Sequence, residues 1–266
     1  MFAHEAGGGK PFAAPPARSG CLHPSPVTCQ AAPMRTLATP DGPMDLIVAE
    51  PAGAPKGGLV VVQEAFGLTP HLHNICARLA EAGWLAVATA LYHRTGSPVL
   101  GYDEFDQVAP HFMALDPDGL ANDLGAALGV LDDAGIDPDR RGVIGFCMGG
   151  TIALWAATVF ELGAAVTFYG SGIASNRFGL PPLVELAPAL RAPWQGHYGD
   201  EDTGIPVEQV EDLRAAAGHS AVEFELHRYP EAPHGFNCDE RGSYHEPSAR
   251  LAWLRSLDWF DRHLAG

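Results

Sequence analysis

The feature that most constrains the fold is a glycine-rich turn at residues 145–150, which reads Gly-Phe-Cys-Met-Gly-Gly. The apolar pair Val143 and Ile144 precedes this turn, and the helix-like run 151–159 follows it. This order predicts a buried strand, a sharp turn and a helix. Glycines two positions before and two positions after Cys147 allow the strand and the helix to approach closely, because neither carries a Cβ atom. We therefore expect Cys147 to stand exposed, in a strained backbone conformation, at the N-terminus of the helix.

Strand-like apolar runs alternate with amphipathic helix-like runs along most of the chain. Such alternation predicts an α/β fold with a mainly parallel central sheet and helices on both faces. A leucine stripe at residues 120, 124, 128 and 131 marks one of these helices. The other predicted helices are 72–81, 102–113, 150–160, 207–217 and 247–264. The predicted strands are 44–49, 59–63, 85–89, 142–145, 164–168, 193–198 and 222–229. A proline-containing loop region is predicted from residue 170.

The first 33 residues are rich in Gly, Pro, Ala and Ser and lack periodicity. They predict a flexible N-terminal extension, with a targeting peptide as the alternative. Residues 34–266 are predicted to form a single domain.

Composition narrows the choice of partners. The net charge is 16 − 32 = −16, which disfavours nucleic acid and anionic membranes because both require a basic face. No apolar run reaches membrane-spanning length, and the five cysteines match no zinc pattern. We expect a cytoplasmic protein with reduced thiols that acts on a small molecule.

Active sites in sheets of this kind lie at the carboxyl ends of the strands. This rule selects Glu64, Cys147 and His234, together with Asp202 or, as the alternative, Asp200. A thiol must ionise to attack a carbonyl, and a nearby histidine and a helix N-terminus both favour the thiolate. The chain order nucleophile, acid, histidine therefore predicts a cysteine-based catalytic site.

Two further histidines, His71 and His73, could suggest a metal site. No third ligand stands at a sensible distance in the sequence, so we expect neither a metal nor another cofactor.

Five segments, in order within residues 35–264, resemble one known family. The segments are Val-Gln-Glu-Ala-Phe-Gly at 62–67, Leu-Tyr-His-Arg at 91–94, the turn at 145–150, the stretch 199–206, and Pro-His-Gly-Phe at 233–236. Together they resemble the dienelactone hydrolase (carboxymethylenebutenolidase) family of the α/β-hydrolase superfamily. The resemblance implies an α/β-hydrolase fold and a cofactor-free hydrolase that acts on small lactones or carboxylic esters.

The resemblance also implies a role for each matching residue. Cys147 corresponds to the nucleophile, His234 to the base and Asp202 to the acid. The backbone N–H groups of Ala65 and Met148 correspond to the oxyanion hole.

Two side chains complete the site that the resemblance implies. Glu64 corresponds to a glutamate that contacts the resting thiol and helps to pass on its proton, and Arg94 to an arginine that binds a substrate carboxylate. The family's second such arginine is replaced here by Cys238, with Arg241 as a nearby substitute, which weakens the prediction of dienelactone itself as substrate. The alternatives are a solvated Glu64 and an Arg94 that pairs with a surface carboxylate.

Three other hypotheses remain open at this point. The chain could be a general carboxylesterase or thioesterase, or a non-catalytic ligand-binding relative. Cys147 could also be a small buried residue with a packing role only.

Overall fold

The computed structural model describes residues 33–265. The predicted extension therefore lies outside the described residues, apart from Pro33. No helix within the described range is long and apolar enough to cross a membrane.

Eight strands of the described chain form one sheet, and all seven predicted strands are confirmed, with small shifts at their ends. The strands are β1 Met34–Thr39, β2 Gly42–Ala49, β3 Gly58–Val62, β4 Leu85–Thr89, β5 Arg141–Phe146, β6 Ala164–Phe168, β7 Trp194–Gly199 and β8 Phe224–Tyr229. Their order in the sheet is β1-β2-β4-β3-β5-β6-β7-β8. The pairs β1–β2 and β2–β4 are antiparallel, and every other pair is parallel.

Seven α-helices connect or flank these strands in the described part of the chain. The expected helix at 102–113 is only partly present, because its first half forms a loop with a short 3₁₀ turn. The loop region predicted after 170 also contains one short helix. The helices are α1 Pro70–Glu81, α2 Ala109–Met113, α3 Pro117–Asp133, α4 Met148–Val159, α5 Leu183–Leu186, α6 Val207–Ala217 and α7 Glu246–Leu264.

The strand that the sequence pattern missed is β1, which pairs with β2 as a hairpin around Pro40 and Asp41. Most of its side chains are exposed, so the strand has no apolar face to signal its presence. The sequence signal for this hairpin is the Asp-Gly pair at 41–42, a common hairpin turn sequence. Gly42 adopts φ 117°, a conformation in which a residue with a side chain would be strained.

Helices cover both faces of the sheet. A Cβ atom on Gly58 would meet Leu131 of α3, whereas one on Gly142 would meet Leu264 of α7. Leu59 is the register partner of Gly142, and successive strand residues point to opposite faces. The helices α3 and α7 therefore lie on opposite sides, which confirms the predicted layering and leaves the carboxyl ends of the parallel strands as the edge where a site can form.

Candidate active site

The turn between β5 and α4 is a strained elbow with Cys147 at its tip. Cys147 has φ 53° and ψ −116°, a region that side-chain-bearing residues rarely occupy. A Cβ atom on Gly145 would lie 1.9 Å from the Gly149 carbonyl oxygen, and one on Gly149 would lie 2.2 Å from the Val62 carbonyl oxygen. The two glycines are therefore required by close backbone approach, as the sequence predicted.

The elbow fixes the direction of Cys147 through its backbone. Its amide donates to the Phe168 carbonyl at 3.0 Å, and its own carbonyl accepts the Gly150 amide at 3.0 Å. Its side chain is partly exposed, and the residue caps the N-terminus of α4. The positive end of the helix dipole favours a negative charge on the sulfur at this position.

His234 and Asp202 form a pair beside this elbow. His234 Nδ1 donates to Asp202 Oδ2 at 2.6 Å, and the other carboxylate oxygen accepts the Gly204 amide at 2.9 Å. The Asp202 side chain is 2% exposed. The carboxylate thus fixes the orientation of the imidazole through Nδ1 and leaves Nε2 on the other side of the ring.

The pKa of His234 depends on the neighbouring Cys147 and Asp202. Burial lowers the pKa of His234, but the negative charge of Cys147, the hydrogen bond to Asp202 and an interaction with the Cys147 side chain together raise it to about 10. The imidazole is therefore stabilised in its protonated form at neutral pH, beside the Cys147 side chain.

The alternative acid, Asp200, is engaged elsewhere. Its two carboxylate oxygens accept hydrogen bonds from the Arg228 guanidinium at 2.7 and 2.8 Å. Asp202 is the carboxylate that contacts His234, so the geometry favours the first of the two candidates.

Two backbone amides, one after β3 and one at the start of α4, have no acceptor in the described part of the chain. Within residues 33–265, neither the Ala65 amide nor the Met148 amide donates to a protein oxygen. Tyr92 links the two residues, because its hydroxyl donates to the Ala65 carbonyl at 3.0 Å and lies 3.5 Å from Met148 Sδ. Burial and the charge of Cys147 raise the pKa of Tyr92, so the hydroxyl stays protonated as a donor.

Glu64 is buried in the same region. Its Oε1 accepts from the Tyr169 hydroxyl at 3.3 Å and lies 3.8 Å from Arg241 Nη1, while its Oε2 has no partner among the described residues. The solvated alternative is therefore excluded by burial. No hydrogen bond joins Glu64 to Cys147 in this part of the chain, and the proposed role in proton transfer stays a prediction.

Arg94 lies in an ion-pair cluster. Its guanidinium makes two bonds to the buried Asp123, at 2.7 and 2.9 Å, one to Asp41 at 2.6 Å and one to the Gly119 carbonyl. These contacts tie the β1–β2 turn to α3. The geometry favours the alternative of a paired arginine over the expected contact with substrate, because both Nη1 and Nη2 of Arg94 already bond to a carboxylate.

Arg241, the suggested substitute for the arginine that Cys238 replaces, lies close to Glu64 and to Gly235. Its guanidinium carbon lies 5.6 and 5.5 Å from the ring centres of Phe66 and Tyr102. Nη1 has no hydrogen-bond partner among the described residues, and a Cβ atom on Gly235, next to His234, would lie 2.6 Å from it. The spacing of the motifs gave no signal for this residue, because it sits in the loop after the histidine and reaches back to the site.

The remaining thiols of the described region are buried. Cys238 Sγ donates to the Tyr102 hydroxyl at 3.2 Å, so it lies in the wall beside Arg241. Burial raises the pKa of the Cys76 thiol to about 12, which makes it unreactive near neutral pH. Residues 33–265 contain no group of three or more His, Cys, Asp or Glu side chains placed to hold a metal ion.

Comparison with known proteins identifies the family and agrees with the fold. The sequence pattern of the dienelactone hydrolase family matches residues 44–264. A Yersinia pestis protein named "Putative carboxymethylenebutenolidase" is 40% identical over 208 residues, which cover 77% of this chain and 78% of that protein. A Bradyrhizobium protein named "Probable 2-oxo-3-(5-oxofuran-2-ylidene)propanoate lactonase" is 29% identical over 211 residues, which cover 78% and 84%. A crystal structure named "Putative Dienelactone Hydrolase", from Klebsiella pneumoniae, matches with a TM-score of 0.78 at 35% identity and covers 86% of this chain and 98% of its own.

The close approach at the elbow makes a prediction about stability. Gly149→Ala should destabilise the protein by about 3 kcal/mol, because backbone atoms of β3 would have to move to admit the methyl group. Gly129→Ala is the matched control: a Cβ atom there, in the middle of α3, meets nothing within 4 Å, and the change should stabilise by roughly 0.5–1 kcal/mol. Denaturant unfolding of both variants measures the difference. Equal effects of the two substitutions would contradict the packing of the elbow.

Proposed function

Because the chain belongs to the dienelactone hydrolase family and is a hydrolase of that family, we propose that it cleaves a small lactone or carboxylic ester through the thiolate of Cys147. The observation that carries this proposal is the strained Cys147 at a helix N-terminus beside the His234–Asp202 pair. The charge and the side chain of Cys147 both raise the pKa of His234. A packing role for Cys147 would not require the backbone strain that this position bears.

The proposed reaction begins with attack of the Cys147 sulfur on the carbonyl carbon. The carbonyl oxygen becomes an oxyanion, which the amides of Ala65 and Met148 stabilise; one donor of this kind is worth about 3 kcal/mol. Collapse of the tetrahedral intermediate breaks the ester C–O bond, and the His234 imidazolium gives its proton to the leaving oxygen. The product of this step is an acyl thioester on Cys147.

Hydrolysis of the thioester completes the cycle. Neutral His234, held through Nδ1 by Asp202, takes a proton from water through Nε2 as the water attacks the acyl carbon. The thiolate leaves, the acid is released, and the thiolate–imidazolium pair is restored. When the substrate is a lactone, the new carboxyl group and the new hydroxyl group belong to one product molecule. This product is a hydroxy acid or, where the hydroxyl group is an enol, its keto form.

The nucleophile favours certain leaving groups. A thiolate is expelled from the tetrahedral intermediate more readily than a poor alkoxide, so productive collapse needs an enol, phenol or similar leaving group. An enol lactone fits this requirement, and an activated aryl ester is the general-esterase alternative.

Arg241 supports a substrate with a carboxylate. Its Nη1 has no hydrogen-bond partner within the described range and lies 3.8 Å from Glu64 Oε1. Its guanidinium carbon lies 5.6 and 5.5 Å from the ring centres of Phe66 and Tyr102. A substrate carboxylate placed there would provide the missing partner, and guanidinium groups bind carboxylates in two parallel bonds. The Bradyrhizobium relative's name describes a lactone that carries a propanoate group, a substrate of this class. We assign the carboxylate contact to Arg241 in preference to Arg94.

The proposed nucleophile should be the most reactive thiol. At about pH 6.5, well below the ordinary thiol pKa of about 8.5, iodoacetamide should alkylate Cys147 much faster than Cys76 and abolish ester hydrolysis in proportion to labelling. Cys147→Ala should keep the thermal stability of the protein and lose turnover by a factor of at least about 10³. Peptide mapping by mass spectrometry and a kinetic assay measure both outcomes.

Cys76 is the internal control for this experiment, since its buried thiol reports opening of the fold. Slow labelling of Cys147 at the rate of Cys76, together with no hydrolysis of any ester or lactone, would favour the non-catalytic relative instead. Normal turnover by Cys147→Ala would show that another residue is the nucleophile.

Arg241→Met should change substrate selectivity. A charge-assisted hydrogen bond is worth about 1.5–3 kcal/mol, so KM for carboxylate-bearing lactones or esters should rise roughly 10- to 100-fold, with little change for matched neutral esters. Arg94→Met is the control: it should lower the melting temperature by breaking the cluster with Asp123 and leave the ratio between the two substrate types unchanged. An equal loss on neutral substrates would contradict the carboxylate contact of Arg241.

A further inference from the structure

The segment that follows β3 carries one of the two proposed oxyanion donors. We call residues 63–67, Gln-Glu-Ala-Phe-Gly, the oxyanion loop. Ala65 and Phe66 form a turn, and Gln63 and Glu64 before it have no regular secondary structure. The direction of the Ala65 N–H therefore depends on side-chain contacts and not on the hydrogen bonds of a strand or helix.

Gln63 makes two hydrogen bonds from a side chain that is 0% exposed. Its Nε2 donates to the Glu64 carbonyl at 3.3 Å, and its Oε1 accepts the Leu91 amide at 3.1 Å. The orientation of the side-chain amide is unambiguous, because the Leu91 N–H can only donate and the Glu64 carbonyl can only accept. Gln63 therefore bridges the ends of the neighbouring parallel strands β3 and β4.

The bond to the Glu64 carbonyl acts directly on the proposed oxyanion donor. The Glu64 carbonyl and the Ala65 N–H belong to the same peptide group, which is planar and trans, so the two bonds point in opposite directions. Fixing the carbonyl therefore fixes the direction of the N–H. A hydrogen bond accepted by the carbonyl also polarises the peptide and strengthens its N–H as a donor.

Tyr92 fixes the next peptide group. Its hydroxyl donates to the Ala65 carbonyl at 3.0 Å, so Ala65 is held by one side chain on each side. The same hydroxyl lies 3.5 Å from Met148 Sδ, which keeps the loop in register with the second proposed donor on α4.

From this arrangement we propose that Gln63, supported by Tyr92, is a positioning residue that aims the Ala65 amide at the oxyanion. The proposal rests on the proposed function. Neither side chain touches the reacting atoms; each acts through the peptide groups that flank Ala65. Loss of Gln63 should weaken binding of the transition state and leave the binding of substrate and the reactivity of Cys147 unchanged.

Gln63→Met tests this inference, because methionine preserves the length of the side chain and removes both hydrogen bonds. The variant should lose about 10- to 100-fold in kcat with KM within about threefold, since removal of an entire oxyanion donor costs about 10²–10³ in kcat. Affinity for a trifluoromethyl ketone, which forms a tetrahedral adduct, should fall by a similar factor. Alkylation of Cys147 by iodoacetamide, which needs no oxyanion hole, should keep its rate.

Gln195→Met is the matched control. Gln195 is also 0% exposed and bridges two groups, His197 and Glu225, in the strands β7 and β8. It should lose stability to a comparable extent and keep its kcat. Tyr92→Phe, which removes only one hydroxyl, is a second variant for the case in which Gln63→Met does not fold, and it should show the same split between kcat and KM.

The inference is overturned if folded Gln63→Met and Tyr92→Phe both keep the parental kcat, or if kcat and the alkylation rate of Cys147 fall together. Failure of the proposed function has a different signature. In that case Cys147→Ala would remain active, whatever the result at Gln63.

Discussion

The site depends on how closely α4 approaches the end of β3. At Gly149 there is no room for even a methyl group against the carbonyl oxygens of Val62 and Gln63. This contact brings the tip of the elbow beside the segment after β3, so that Cys147 and the oxyanion loop share one edge of the sheet. The cost is the strained backbone of Cys147, which the hydrogen bond from its amide to Phe168 and the surrounding strands hold in place.

The second requirement is a balance of charge in a largely buried space. The thiolate that we propose at Cys147 would leave, together with a protonated His234 and the Asp202 carboxylate, a net negative charge that the N-terminus of α4 and the guanidinium of Arg241 partly offset. In the proposed complex, the substrate carboxylate would pair with the guanidinium of Arg241, whose Nη1 lies 3.8 Å from Glu64 Oε1.

The sequence predicted the parts of the fold that follow from local patterning. Buried parallel strands such as β4 and β6 are nearly continuous apolar runs in the sequence, which is typical of strands covered on both faces. The glycines of the elbow indicated a turn in which side chains would clash with the backbone. The β1 strand was missed because its side chains are mostly exposed. The prediction of a helix was wrong for the first half of residues 102–113. This segment is a loop whose aromatic side chains pack against Phe66.

The polar contacts of the site were less predictable. The resemblance placed Asp202 beside His234, whereas spacing alone left Asp200 open, because the choice depends on which carboxylate the strand end turns inward. The ion pair of Arg94 with Asp123, which is buried on α3, was not predicted, because nothing in the spacing of the sequence indicates that this carboxylate lies beside the arginine. Gln63 was part of a recognised motif, yet only the structure links its side chain to the peptide of Ala65.

The most direct test of the account is to identify the atom that carries the acyl group during turnover. The enzyme is mixed with a slowly deacylating aryl ester, quenched with acid during the steady state, digested with a protease and analysed by tandem mass spectrometry. The account predicts an acyl thioester on the peptide that contains Cys147, present during turnover and gone once the substrate is exhausted. Acylation of a serine or another side chain in its place, or continued turnover with no adduct after a quench fast enough to trap one, would contradict it.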